Sequence, residues 1–296
     1  MLAAIAQALT LLLAGAAESE AAGLTPREKA ELVVVAGMPA GDGFGGVLVR
    51  RWNVEAQRPR GVLVFADQEG GTVKTFRALA PWRAASQYRS VAEAHAAGRA
   101  TAGDLRRAGV HAAFAPVLDL PDGPLGSRHF ARPELGVAFA RGLGRAACVK
   151  HFPGLGSTPE STDVARVYGI LRAQDMRPFR EAIRAGVPCV MVGHAIYPRL
   201  GPRRASFERE TYELLRGLGF EGVAITDSLG VLGSPYAPYW ARLALRAGAD
   251  LVLTTSARDA RRMVDALVPL ARAGELDRAV VRVLRYRRLL GLSPSP

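Results

Sequence analysis

Short apolar runs punctuated by polar and glycine-rich stretches dominate the chain. Gly45 to Val49, Gly61 to Ala66, Ala112 to Leu120, Cys148 to Phe152, Val187 to His194, Gly222 to Asp227 and Ala249 to Thr254 each read as a buried strand. Segments with helical spacing lie between most of them: Ser90 to Ala108, a helix ending near Leu143, Asp175 to Ala185, Glu210 to Leu218 and Arg242 to Ala247, with two more closing the chain through Arg288. Thr25-Pro26-Arg27-Glu28 carries a capping residue, Pro at the first helical position and Glu three residues after the cap, which predicts a helix running to about Val35.

Strand followed by helix, about seven times over, predicts a TIM-type (β/α) barrel rather than an open sheet. Two features make it irregular. The polar stretch from Asn53 to Arg60 is barely long enough for a parallel crossover, and the pattern leaves the barrel short of one strand.

Several strands stop on polar side chains, where parallel α/β folds place their chemistry. The run from Cys148 ends in Lys150-His151 before a Pro153-Gly154 turn, the run from Gly222 ends on Asp227, and the run from Gly61 ends in Asp67-Gln68-Glu69-Gly70-Gly71. The glycines of that last stretch would let backbone approach a ligand. One pocket fed by several strand ends is the expectation.

With 296 residues, 49% of them hydrophobic and 22% charged, the chain suits one barrel-sized domain over residues 23–296. A net charge of +12 raises nucleic acid as a partner. However, Lys29, Lys74 and Lys150 are the only lysines, and the arginines are scattered without aromatic interleaving or a recognition motif. That composition argues for a solvated basic surface and against nucleic-acid binding.

Residues 1–22 hold an apolar run, Ala8 to Ala14, followed by small residues resembling a signal-peptide cleavage zone, although no basic residue precedes it. A secreted or cell-envelope location is the expectation, with a cytoplasmic protein bearing an amphipathic N-terminal helix as the alternative. The run is too short to span a membrane, so no integral membrane segment is expected. Cys148 and Cys189 read as two separate buried thiols. No histidine pairs with another histidine or a cysteine at ligand spacing, so no metal is expected. The glycines form no dinucleotide or P-loop fingerprint, so no cofactor is expected. The oligomeric state is not legible.

Asp67-Gln68-Glu69-Gly70-Gly71, Lys150-His151-Phe152-Pro153-Gly154, Met191-Val192-Gly193-His194 and Ile225-Thr226-Asp227, in this order, resemble the N-terminal barrel domain of glycoside hydrolase family 3. Phe114 to Asp119 and Ala273 to Leu276 fit it too, and the resemblance runs from about Leu24 to Leu292. Its single-domain members are β-N-acetylhexosaminidases acting on peptidoglycan fragments. The resemblance implies a retaining glycosidase acting on a small glycoside or cell-wall saccharide. Asp227 would form the covalent glycosyl-enzyme, and Asp67, Arg128, Lys150 and His151 would bind sugar hydroxyls. His194 would line the pocket, or else be a satisfied structural histidine. For Lys150 the alternative is an ion pair with Asp67 or Asp119 and no ligand.

The chain departs from the family where the general acid/base stands. The family loop carries His-Gly-Asp-Thr and then Asp-Ser-His; here Leu155, Gly156, Ser157 and Thr158 are followed by Ser161, Thr162 and Asp163. Asp163 occupies the histidine position and could donate the proton if burial or a like charge raised its pKa. Glu160 is the second candidate. Ser228 replaces the aspartate that follows the nucleophile, Thr72 the arginine after the Gly70-Gly71 pair, and His129 a serine. A carbohydrate-binding barrel that has lost turnover with the Asp-His pair is therefore the alternative function.

Overall fold

A computed structural model describes residues 15–292. Among the described residues, eight parallel strands form one sheet: β1 (Val34–Gly37), β2 (Gly46–Val49), β3 (Leu63–Ala66), β6 (Ala112–Ala113), β7 (Cys148–Phe152), β8 (Cys189–Val192), β9 (Val223–Ser228) and β10 (Leu251–Thr254). Around the sheet they neighbour one another in chain order, with β10 pairing back onto β1. Closure between β6 and β7 comes from bridges Ala113 to Ala147 and Val117 to Lys150, with Leu118 N–H donating to the Lys150 carbonyl at 2.6 Å. The sheet is a TIM-type barrel with helices outside.

The strand absent from the sequence reading is β1. Helix α2 (Pro26–Leu32) has the expected capping box between Thr25 and Glu28 but stops at Leu32. Val33 caps it and Val34 starts the strand, which corrects the expected helix end near Val35. Three successive β-branched residues suit a pleated, fully buried strand better than a helix. Neither β1 to β2 nor β2 to β3 is joined by an α-helix, so the barrel is irregular at its start, as expected.

Helices α3 (Val91–Arg107), α4 (Pro133–Leu143), α5 (Ala173–Arg184), α6 (Arg209–Gly217), α7 (Ala237–Ala247), α8 (Ala257–Arg272) and α9 (Asp277–Leu289) surround the barrel. A short antiparallel hairpin, β4 (Gln68–Gly70) with β5 (Val73–Lys74), stands on the C-terminal end of β3. Cys148 and Cys189 are buried as expected, but they are not separate thiols. Neighbouring positions on β7 and β8 bring their Cα atoms to 4.3 Å, and the sulfurs are bonded at 2.03 Å.

The apolar run at residues 8–14 lies outside the described residues. Residues 15–23 form helix α1, with Ala17 and Ala21 buried and Glu18 paired with Arg285 at 3.1 Å. No helix among the described residues is long and apolar enough to cross a membrane.

Candidate active site

At the C-terminal ends of the strands lies a cleft of about 430 Å³, lined by Asp67, Glu69, Arg128, Lys150, His151 and Asp227, with Asp163 on its wall. Its centre is a charge lattice supplied by the end of β3 with its hairpin, by β7 and by the loop after β6. The Lys150 ammonium donates to Asp67 Oδ1 at 2.8 Å and lies 2.6 Å from Glu69 Oε1. The Arg128 guanidinium donates to both oxygens of Glu69, at 2.8 and 2.9 Å. Glu69 is buried, which by itself would push its carboxyl up; the ammonium and guanidinium outweigh that and hold it at about 2. Burial likewise lowers the Lys150 ammonium, but Asp67 and Glu69 more than offset it and leave it above its ordinary range.

A second chain of contacts orients the imidazole. Asp119 is buried, and its carboxylate accepts from the backbone N–H groups of His151 and Leu155, the latter at 2.8 Å. It also lies 2.7 Å from His151 Nδ1. An ionised carboxylate only accepts, so that ring nitrogen carries hydrogen and Nε2 faces the cleft. Nε2 stands 4.0 Å from Asp227 Oδ2. The peptide bond between Lys150 and His151 is cis, and both side chains line the same cleft.

Asp227 sits near the end of β9 with its side chain 17% exposed. Oδ1 accepts from the Ser228 N–H at 2.7 Å. Burial pushes its carboxyl up, but His151, His194, the Ser228 amide and Lys150 outweigh burial and hold it below its ordinary value. The result is an ionised carboxylate with one oxygen pinned and the other turned toward the imidazole.

The structure therefore gathers Asp67, Arg128, Lys150, His151, Asp163 and Asp227 at one cleft. His194 is corrected: it is fully buried and does not line the cleft. Its Nδ1 lies 2.8 Å from Ser206 Oγ and its Nε2 lies 3.2 Å from the Ser228 carbonyl, so it supports the end of β9 from behind. Asp163 is exposed at the rim, so the burial asked of it as an acid is missing, and Glu160 is exposed without lining the cleft. Lys74, two residues beyond Thr72, lies over the Trp82 ring at 4.5 Å, and Arg51 donates to the Thr72 carbonyl at 3.4 Å.

Glu69 is not a predicted site residue, and Asp119 is expected only as a possible partner of Lys150; Lys150 pairs with Asp67, and Asp119 with His151. Glu69 joins Lys150 to Arg128, and Asp119 orients His151. Their signal was a carboxylate beside each apolar strand run, and only closure of the barrel assigns their partners. The glycines after Glu69 also serve differently from expectation. Gly70 has φ +103°, and a Cβ there would lie 2.2 Å from the Arg83 carbonyl oxygen, so the close approach is to the chain itself.

Comparison with known proteins decides the family. The model of the glycosyl hydrolase family 3 N-terminal domain matches residues 48–286. The chain belongs to that family. It is 38% identical to a β-hexosaminidase of Xanthomonas axonopodis pv. citri, covering 61% of this chain and 62% of that protein. A β-hexosaminidase of Stenotrophomonas maltophilia is 35% identical, with 80% of this chain and 79% of the relative covered. Among solved structures, a family 3 β-N-acetylglucosaminidase of a Paenibacillus species superposes with a TM-score of 0.81 at 27% identity, covering 93% of this chain and 64% of that one. The chain thus spans less than two thirds of the first and third of these proteins.

Proposed function

We propose that this family 3 barrel is a retaining glycoside hydrolase that releases a β-linked hexosamine from a small glycoside or cell-wall saccharide. The observation that carries the reading is Asp227: an ionised carboxylate in a strand-end cleft, facing His151 and beside the Lys150 ammonium. The hexosamine preference rests on the β-hexosaminidase relatives.

In the proposed reaction Asp227 Oδ2 attacks the anomeric carbon while the bond to the leaving oxygen breaks and that oxygen takes a proton. Water then attacks the same carbon, loses a proton to the base and frees Asp227. Asp163, on the wall of the cleft, is the proposed acid and base, and closure of its loop over substrate would bring it to the leaving oxygen. Asp67, Lys150 and Arg128 would engage sugar hydroxyls from the rigid lattice around Glu69. Because that lattice is already paired, its donors are fixed before substrate arrives, which favours orientation.

The exposure of Asp163 and the departure from the family Asp-His pair support a second reading, a saccharide-binding barrel that has lost turnover. Aryl β-glycosides and a fluoro-sugar trap separate the two. A hydrolase turns over N-acetylglucosaminides in preference to glucosides; covalent labelling without release marks a live nucleophile lacking an acid, and saccharide binding without labelling marks the binding barrel.

A further inference from the structure

The N-terminal mouth of the barrel lies on the face opposite the cleft, and helix α9 crosses it. Arg282 Nη1 donates to Asp250 Oδ1 at 3.1 Å just ahead of β10, and Arg287 Nη2 donates to the Gly61 carbonyl at 2.7 Å ahead of β3, three strands away around the sheet. Barrel helices run back against their strands, so their C-terminal ends ring this mouth. Arg106, Arg141, Arg184 and Arg272 stand exposed in the last turns of α3, α4, α5 and α8. Arg145, ahead of β7, and Arg278, at the start of α9, are exposed as well. None of these guanidiniums has a carboxylate partner among the described residues. Along the chain they look scattered, because most of them close different helices; the barrel gathers them on one face.

An arginine at a helix end first offsets the negative end of the helix dipole, equivalent to about half a charge. A whole cation at each end leaves a surplus. The acids of this face are largely spent on other arginines: Asp250 on Arg216 and Arg282, Glu275 on Arg246, and Glu18 on Arg285.

A surface for a soluble polyanion would need no apolar contact, and this mouth offers two. Leu289, 38% exposed, lines a hollow of about 420 Å³ together with Pro188, Val223 and Tyr286; Arg145 edges it, and Glu221 is the one acid among its described lining residues. The apolar run at residues 8–14 also joins the barrel here. It directly precedes α1, whose Ala16 carbonyl accepts from Arg288 Nη2 at 3.0 Å.

We propose that the N-terminal mouth docks on an anionic phospholipid surface. Its arginines meet lipid phosphates, its apolar groups enter the headgroup layer, and the catalytic cleft faces away from the membrane. Docking concerns the opposite face from the cleft and holds whether or not the barrel hydrolyses a glycoside.

The test floats the full chain with vesicles of phosphatidylcholine, with or without phosphatidylglycerol. Binding is expected only to the anionic vesicles and is expected to be lost at high salt, a reading on the wild type that needs no variant. Each arginine near such a surface contributes about fivefold to partitioning, so Arg145→Glu, Arg184→Glu and Arg278→Glu combined should cut binding by at least about a hundredfold. All three are exposed and lack a carboxylate partner, so folding does not hinge on them. Arg77→Glu, Arg166→Glu and Arg199→Glu combined change the net charge equally on exposed loops of the cleft face; they lie beyond the screening length from the docked lipid, and binding should stay within about twofold. No preference for anionic vesicles, equal loss in the two triple variants, or binding that persists at high salt overturns the proposal. Capture by soluble polyphosphate with the vesicles ignored overturns it too.

Discussion

At the scale of single residues, the cleft separates groups that would react from groups that hold them. Asp227 meets the requirements of a nucleophile, and Asp227→Ala is expected to lower kcat on aryl β-glycosides by at least about a thousandfold. Asp163 differs, because a good leaving group departs with little help from an acid. Asp163→Ala should therefore slow alkyl glycosides far more than nitrophenyl glycosides, as a leaving-group series would show. Glu69 is structural and electrostatic. Replacing it with Gln takes the carboxylate from Arg128 and leaves Lys150 with Asp67 alone, and breaking buried pairs of this kind costs about 3 to 5 kcal/mol, to be read from urea unfolding. Its titration has a definite sign. With a folded value of about 2 against an ordinary 4.5, its contribution is fully present above about pH 4.5 and is lost as pH falls through about 2. Acid unfolding of Glu69→Gln should show a weaker dependence over that window. The polar ends of the strands could be read as a site because apolar runs stop there. Which carboxylate meets which cation could not, because Glu69 and Arg128 are 59 residues apart and only the closed barrel joins them.

At the scale of elements, β-branching and glycine decide what local patterning leaves ambiguous. A capping box starts α2, but it says nothing of where the helix ends, and Val34 and Val35 belong to β1. Helices α3 and α4 show the converse case, a contact invisible to hydrophobic periodicity. A Cβ on Gly98 would lie 2.2 Å from the Phe139 carbonyl oxygen, and one on Gly142 would lie 2.2 Å from that of His95. The two helices approach closely because neither position has a side chain. Gly98→Ala gains helix propensity but forces these backbones apart, and overpacking of this kind costs about 1 to 3 kcal/mol. Thermal or urea unfolding should show the net loss with little change in KM, since α3 and α4 pack outside the barrel.

At the scale of the whole molecule, the barrel explains why residues 67, 128, 150 and 227 meet at one face. Asp67 directly follows β3, Lys150 and Asp227 stand on β7 and β9, and the loop after β6 carries Arg128; parallel strands in a closed sheet deliver their C-terminal ends to the same side. That convergence was legible from the run of strands and from the family motifs.

The account turns on Asp227 as the nucleophile that bonds the anomeric carbon, and covalent trapping reads that directly. The chain is incubated with a fluorinated β-hexosaminide bearing a good leaving group, then analysed by intact mass and peptide mapping. A gain of one glycosyl unit confined to the peptide holding Asp227, and absent from Asp227→Ala, is the predicted result. Labelling at another residue, or hydrolysis that proceeds unchanged in Asp227→Ala, would contradict it.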